Sequence, residues 1–353
     1  MLLDRLDVPI VLAPLAGGPS TARLAAAVSN AGGLGFLAAG YLSAAALREQ
    51  IASARGMTTA ALGVNVFVPG IPAAPGSVDD YASRLTPAAS QARLELGRPR
   101  FDNDAWDAKL ALLIADPLPV VSFTFGCPDP NVITAVQGAG SEAWVTVTTP
   151  AEARQAAAAG ADALVVQGSE AGGHRASFID DPSADVSGGF GLLPLLQLVS
   201  RETRLPMVGA GGIGTGAGVA AVLAAGASAA QLGTAFLRSP EAGTARVHRD
   251  ALAAPGETAM TRAFTGRLAR GIRNRFLDEH SQAAPAAYPE VHFLTAPVRA
   301  AARSAGNPDL VNLWAGQTHE LTSELPAAEL VAQLAREARS ALAAAAGRLS
   351  PRA

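Results

Sequence analysis

The residues able to do chemistry gather in a few short segments. One reads Gln167-Gly168-Ser169-Glu170-Ala171-Gly172-Gly173-His174-Arg175, an imidazole carried on a glycine hinge. Histidine changes protonation near neutral pH and is the commonest general acid or base, and glycines beside it let a ligand come close. A lone loop histidine is more often ordinary surface, so His174 gains weight only from its place in a fold. Glu170 and Arg175 read as a pair that orders this loop. A second segment, GAGGIGTGAG, holds six glycines between 209 and 218. Glycine lets backbone amides approach an anion, and the helix expected to follow offers its N-terminus, so a phosphate group suits the segment. Gln231-Leu232-Gly233-Thr234 adds another glycine and a hydroxyl downstream. Gly209, Gly211 and Gly214 formally match GxGxxG, but a dinucleotide fingerprint wants an acidic residue about 20 positions on to hold the ribose. Residues 215 to 240 contain none.

These segments sit between runs that are almost continuously apolar: 10 to 15, 34 to 39, 61 to 68, 119 to 125, 143 to 148, 163 to 167, 205 to 209 and 229 to 236. Continuous apolar runs suit strands buried on both faces. Each is followed by a helical pattern, and several helices end in a shared way. Ala31-Gly32, Ala139-Gly140, Ala159-Gly160 and Ala225-Gly226 each place a C-capping glycine just before the next strand. The pair AAGADALVV and AAGASAAQL, at 158 to 166 and 224 to 232, repeats one helix end, turn and strand. Eight such units predict an α/β fold, a closed (βα)8 TIM barrel, with an open doubly wound sheet as the alternative. In a barrel the ligand lies at the carboxyl ends of the strands, with phosphate after strands seven and eight, where the glycine segments fall. His174 then follows strand six on the active face. Asn65, at the end of strand three, and Gln167, at the end of strand six, are amides in apolar runs. Buried amides need partners, either a neighbouring loop or a ring edge that offers donors and acceptors together, such as a flavin.

Two regions break the repeat. Residues 70 to 118 form an insertion that begins with PGIPAAPG and continues through helical patterns at 78 to 95 and 104 to 115. Residues 239 to 325 follow strand eight, and together the two are expected to form a cap over a barrel built from 1 to 69 and 119 to 238. Residues 326 to 353 are expected to form a C-terminal helix that packs back on the barrel.

Composition narrows the function. The 353 residues are 49% hydrophobic and 16% charged, with a formal net charge of -3. That balance gives no electrostatic reason to bind nucleic acid or an anionic membrane and favours a small-molecule role. The single Cys127 excludes an internal disulfide and points to a reducing compartment. No metal-ligand spacing occurs, and His248, His280, His292 and His319 read as surface or structural. The apolar run after Asp7 is too short for a signal peptide or a membrane span, so a cytoplasmic location is expected. Arg262, Arg267, Arg270, Arg273 and Arg275 fit salt bridging, anion contact at the cap or an oligomer interface, which leaves a homo-oligomer open.

Taken together, the motifs resemble the nitronate monooxygenases, FMN-dependent barrels with a small second domain. The resemblance runs from PIVLAPLAGG at 9 to 18 through GVNVF, VVSFTFG, QGSEAGGHR, VGAGGIGTG and QLGTAF to TRAFTGRLARGIRNRF and LVNLWAGQ. It implies that His174 is the catalytic residue and that FMN is held by Asn65, Gln167, Gly172, Gly173, Gly211, Gly212, Gln231, Gly233 and Thr234. It also implies that the backbone of Ala13, Pro14 and Leu15 lies against the isoalloxazine ring. Leu15 stands where the family often has methionine, which alters packing beside the flavin without removing a reactive group. The implied reaction is oxidation of an alkyl nitronate, or of a nitroalkane after deprotonation, by O2 to a carbonyl compound and nitrite. The alternatives are a related FMN-dependent enoyl-acyl-carrier-protein reductase that draws on a reduced nicotinamide, and a flavin-binding protein without turnover.

Overall fold

The computed structural model describes residues 1–91, 94–182 and 189–349. Its strands are β1 Ile10–Leu12, β2 Gly35–Ala38, β3 Leu62–Phe67, β4 Val120–Thr124, β5 Glu142–Val147, β6 Ala163–Gln167, β7 Gly173–His174, β8 Met207–Ala210, β9 Ala229–Leu232, β10 Thr258–Thr261 and β11 Ala269–Ile272. Eight of them form a parallel sheet in the order β1-β9-β8-β6-β5-β4-β3-β2. Its two ends meet at a bridge between Val11 and Leu34. There Leu12 N–H donates to Leu34 O at 2.9 Å and Leu34 N–H donates to Ile10 O at 3.0 Å. The sheet is therefore a TIM barrel, not an open doubly wound sheet. Its strands are buried almost throughout, as their apolar runs require. Phe36 and Trp144, with ring centroids 5.8 Å apart, pack inside the barrel with Val120 and Val165, and Leu2 and Leu3 join the same cluster.

The helices are α1 Ala22–Asn30, α2 Ala44–Arg55, α3 Asp79–Gln91, α4 Trp106–Ala115, α5 Pro130–Gly138, α6 Pro150–Ala158, α7 Leu192–Glu202, α8 Gly216–Ala224, α9 Arg246–Ala253, α10 Arg275–His280, α11 Glu290–Ser304 and α12 Ala327–Leu349. Thr21, Ser43, Asp129, Thr149 and Thr215 cap helix starts by accepting a backbone N–H. Gly32, Gly140, Gly160 and Gly226 all adopt positive φ, the left-handed cap expected of them.

Two helices complete the outer ring from outside the repeat. α4 packs against α2, α5 and β3, so it is the helix between the third and fourth barrel strands. The insertion is accordingly shorter than 70 to 118. α12 packs along α8 and α1 and fills the gap left after the eighth barrel strand; residues 350 to 353 lie outside the described residues.

The remaining elements share a core of their own. Val78, Tyr81 and Leu85 of the insertion pack with Phe264, Phe276, Val291 and Leu294. β10 and β11 pair antiparallel, and β7 joins their edge with His174 opposite Ala269 and Gly173 opposite Arg270. His174 therefore does not lie on a free loop: it is a strand residue shared between barrel and cap.

Candidate active site

A cavity of about 560 Å³ lies at the carboxyl ends of the barrel strands. Every residue expected at the site lines it: Ala13, Pro14 and Leu15 after β1, Asn65, Gln167, Gly172 to His174, Gly211 and Gly212, and Gln231, Gly233 and Thr234. Tyr41, on the loop after β2, and Thr265, His292, Arg299 and Trp314, from beyond the eighth barrel strand, also line it.

On the barrel side the glycines are required by conformation and by packing. Gly211 and Gly212 have φ of +117° and +66°, and a Cβ on Gly212 would sit 3.0 Å from Glu170 Cβ. A Cβ on Gly172 would sit 2.4 Å from Gly316 N, and one on Gly233 would sit 3.2 Å from Leu15 Cδ2. Among the described residues, the amides of Gly212, Ile213, Gly233 and Thr234 donate to no protein acceptor. These four donors lie on two adjacent loops of the cavity lining, which suits an anion. The start of the helix that follows is partly occupied by side chains. Glu337 of α12 accepts Gly216 N–H at 3.0 Å and Thr215 accepts Gly218 N–H at 3.2 Å, so two of the first amides of α8 are already taken from within the chain. The Gly216 N–H holds the Glu337 carboxyl below its ordinary pKa.

The two amides have protein partners. Asn65 Nδ2 donates to Ser122 Oγ and Thr124 Oγ1, each at 2.9 Å. Gln167 Nε2 donates to His174 O at 3.1 Å, and its Oε1 accepts Ala176 N–H at 2.9 Å. Gln167 thus shapes the turn that carries His174. Glu170 and Arg175 order the same loop without pairing with each other. Glu170 accepts Leu192 N–H at 3.0 Å, while Arg175 donates to Thr148 O at 3.2 Å and to the carbonyl of Gln167.

His174 is enclosed by rings, with Phe125, Tyr288 and Trp314 centroids 5.5 to 5.6 Å away. Burial, then the nearby Arg267, His292 and Arg299, push its pKa well below 6.5. The imidazole is therefore neutral across the ordinary histidine range. Its Nε2 lies 2.9 Å from Thr265 Oγ1, and that hydroxyl donates to Arg267 O at 3.3 Å. Where the Thr265 hydroxyl keeps its proton on that carbonyl, it accepts from Nε2–H and Nδ1 carries the free lone pair; where it donates to Nε2, the proton of the neutral ring sits on Nδ1.

The arginine cluster fastens the cap to this loop. Arg267 donates to the carbonyls of Arg175 and Ser177 and lies 4.2 Å above the Phe125 ring. Arg270 donates to Ser169 O at 2.9 Å, and Arg262 pairs with Asp180 at 2.8 Å. Arg273 pairs with Asp278 at 2.7 Å.

Several site residues escaped the sequence reading. His292 is not surface: it stacks on Tyr41, centroids 4.4 Å apart and planes 3° from parallel, and burial lowers its pKa to about 3. His248 also lines the cavity, buried, with Nε2 2.9 Å from Trp314 O. His319 is structural, with Nε2 2.8 Å from Gly256 O. Tyr41 and Arg299 had no local signal, because their partners are distant in sequence. Trp314 lay inside the LVNLWAGQ motif but carried no stated role. The half-buried Cys127 has its pKa raised by burial, which makes it a poor thiolate. Among the described residues no helix is long and apolar enough to cross a membrane.

The model of the family described as nitronate monooxygenase matches residues 2–337. A nitronate monooxygenase of Paraburkholderia phytofirmans is 41% identical over 350 residues, covering 96% of this chain and 94% of its own. One from Pseudomonas aeruginosa is 40% identical over 352 residues, covering 94% and 96%. Among solved structures, nitroalkane oxidase from Streptomyces ansochromogenes superposes with a TM-score of 0.95 at 52% identity, covering 98% of this chain and 99% of that one. FabK from Thermotoga maritima follows the same fold with a TM-score of 0.77 at 26% identity, covering 99% and 98%. With the motif segments lining one cavity and the match spanning nearly the whole chain, the protein belongs to the nitronate monooxygenase family of flavin-dependent oxidoreductases.

Proposed function

We propose that the cavity binds FMN and that the chain oxidises alkyl nitronates, and nitroalkanes after deprotonation, with O2 to carbonyl compounds and nitrite. The observation that carries this reading is His174, a half-buried imidazole kept neutral at the cavity wall with one ring nitrogen tethered to Thr265 and the other without a protein hydrogen bond among the described residues. The names of the matched relatives, nitronate monooxygenase and nitroalkane oxidase, point the same way.

The residues present fit the cofactor. The cavity has the volume of a small-molecule site, and side chains on Gly172, Gly211, Gly212 or Gly233 would crowd the loops that line it. The amides of Gly212, Ile213, Gly233 and Thr234 would hold the phosphate, and Ala13 to Leu15, Asn65 and Gln167 would border the ring. When bound, the flavin accepts the substrate's electrons and passes them to O2.

The protein's own part is proton transfer and charge. With Thr265 accepting from Nε2–H, Nδ1 of His174 takes the α-proton of a neutral nitroalkane, and Thr265 fixes the ring. The guanidinium groups of Arg267 and Arg299, which disfavour a protonated His174 in the free site, favour the negative charge that appears on the nitronate. A substrate that arrives already as a nitronate needs no base and uses only the binding part of the site. The test is to measure nitrite released from nitroethane and propionate 3-nitronate and to identify the extracted flavin by mass. Nitrite with FMN is the expected result; a colourless protein, or a flavoprotein that forms no nitrite, would overturn the reading.

A further inference from the structure

Tyr41 stands on the cavity wall in a backbone conformation that its residue type disfavours. Its φ is +67°, in the left-handed region rarely used by bulky residues. Such a residue persists only where its surroundings over-determine it, and strain of this kind concentrates at functional sites. The restraint here comes from a second strained segment. Tyr41 N–H donates to Asp104 Oδ1 at 2.8 Å, and Asp104 and Ala105 are themselves left-handed, at +57° and +52°. The other carboxylate oxygen of Asp104 lies 2.7 Å from Lys109 Nζ, and Lys109 is 0% exposed. Among the described residues that ammonium has no hydrogen-bond partner beyond this ion pair. A buried lysine is costly unless it is paired, so the pair holds Asp104, and Asp104 holds Tyr41.

The ring is fixed as firmly as the backbone. It stacks on His292, meets Phe67 edge-on at 5.6 Å, and its hydroxyl accepts a hydrogen bond from Tyr288 Oη at 3.1 Å. Because Tyr288 supplies the proton of that bond, the proton of Tyr41 is left to donate elsewhere. Burial raises the Tyr41 pKa to about 12, so the group stays a donor at every working pH. Among the described residues the cavity lining contains no carboxylate to receive it.

We infer that the Tyr41 hydroxyl donates to an oxygen of the substrate's nitro or nitronate group, and that Asp104 and Lys109 are positioning residues that hold it there. This rests on the proposed reaction, with His174 Nδ1 acting at carbon while Tyr41 holds oxygen. Two neutral donors and acceptors at one site avoid the self-neutralisation that a free acid and base would undergo.

The test uses the purified holoenzyme and nitrate, a planar oxyanion that resembles the nitronate group but does not react, titrated by calorimetry. Tyr41→Phe is expected to weaken nitrate binding by about tenfold or more, the range for a hydrogen bond to a charged acceptor, and to raise KM for ethyl nitronate more than it lowers kcat. Lys109→Met is expected to weaken nitrate to a similar degree, and the double variant to bind no worse than Tyr41→Phe. A merely structural lysine would give losses that multiply, which would overturn the positioning role. Wild-type nitrate affinity in Tyr41→Phe would overturn the subsite even if the wild type releases nitrite. If instead nitrate binding depends on Tyr41 while no nitrite is formed, the subsite stands and the proposed reaction falls. Should Lys109→Met fail to fold, Tyr41→Phe alone decides the matter.

Discussion

The two walls of the cavity are built on different principles. The barrel wall is mostly backbone: glycines after the sixth, seventh and eighth barrel strands line the cavity, Gly212 against Glu170 and Gly233 against Leu15 of neighbouring barrel loops, and Gly172 against Gly316. The cap wall is mostly side chain, with Thr265, His292, Arg299 and Trp314 held by rings and hydrogen bonds from remote segments, and Tyr41 reaches it from the loop after β2 of the barrel to stack on His292. His174 belongs to both, since it follows a barrel strand yet pairs with β11 of the cap. On the proposed reaction the repeated scaffold would carry the cofactor, and the irregular cap would supply groups that meet the substrate.

Substitutions on the two walls are expected to fail differently. The largest effect is expected at the shared residue. His174→Asn removes the base while leaving the glycine loops intact, so turnover of neutral nitroalkanes should fall by roughly 10² to 10⁴, the usual worth of general base catalysis, with flavin retained. Loss measured with nitroethane should exceed loss with its preformed nitronate; equal losses would show that the histidine acts on binding and not on the proton. On the barrel wall, Gly212→Asp combines a left-handed φ of +66°, contact with Glu170 and a negative charge at the proposed phosphate site. It is expected to purify without flavin, and full occupancy in its absorbance spectrum would refute the cradle. On the cap wall, Thr265→Val leaves the flavin in place and frees the His174 ring, with kcat expected to drop by about tenfold, the scale of one hydrogen bond. A variant that loses flavin instead would blur the division between the walls.

A last effect falls on stability and not on turnover. His248 and His292 are pushed from 6.5 to about 4 and about 3, by burial first, and both stand on the cavity. Below pH 6.5 the unfolded chain takes up protons at these sites that the folded chain refuses. Stability should therefore be fully present above pH 6.5 and fall below it, by about 1.4 kcal/mol per pH unit for each such histidine. Urea midpoints at pH 7.5 and 5 check this, and equal midpoints would contradict it.

The same division explains what the sequence made legible. The barrel could be read because one unit recurs: Ala-Gly helix ends, apolar strands and glycine loops are local signals with a local cause. The cap could be outlined only as a departure from that rhythm, and its inner boundary was misplaced because α4 looks like any other helix until its packing is known. Likewise Glu337 at the start of α8 was illegible, since the carboxylate that partly occupies the helix terminus comes from the last helix of the chain. His292 read as surface or structural, with no site role, because nothing near it in sequence reveals the stack with Tyr41. His174 was legible from its glycine hinge and its place after strand six, whereas its neutral state depends on Arg267, Arg299 and three aromatic rings brought in by folding.

The most direct test of a flavin site served by a neutral histidine is anaerobic mixing of the purified protein with ethyl nitronate while the flavin absorbance is followed. Bleaching by the nitronate and none by NADH is the expected result. Bleaching by NADH alone would make the protein a nicotinamide-dependent reductase, and no bleaching by either would reduce the cavity to a binding site without turnover.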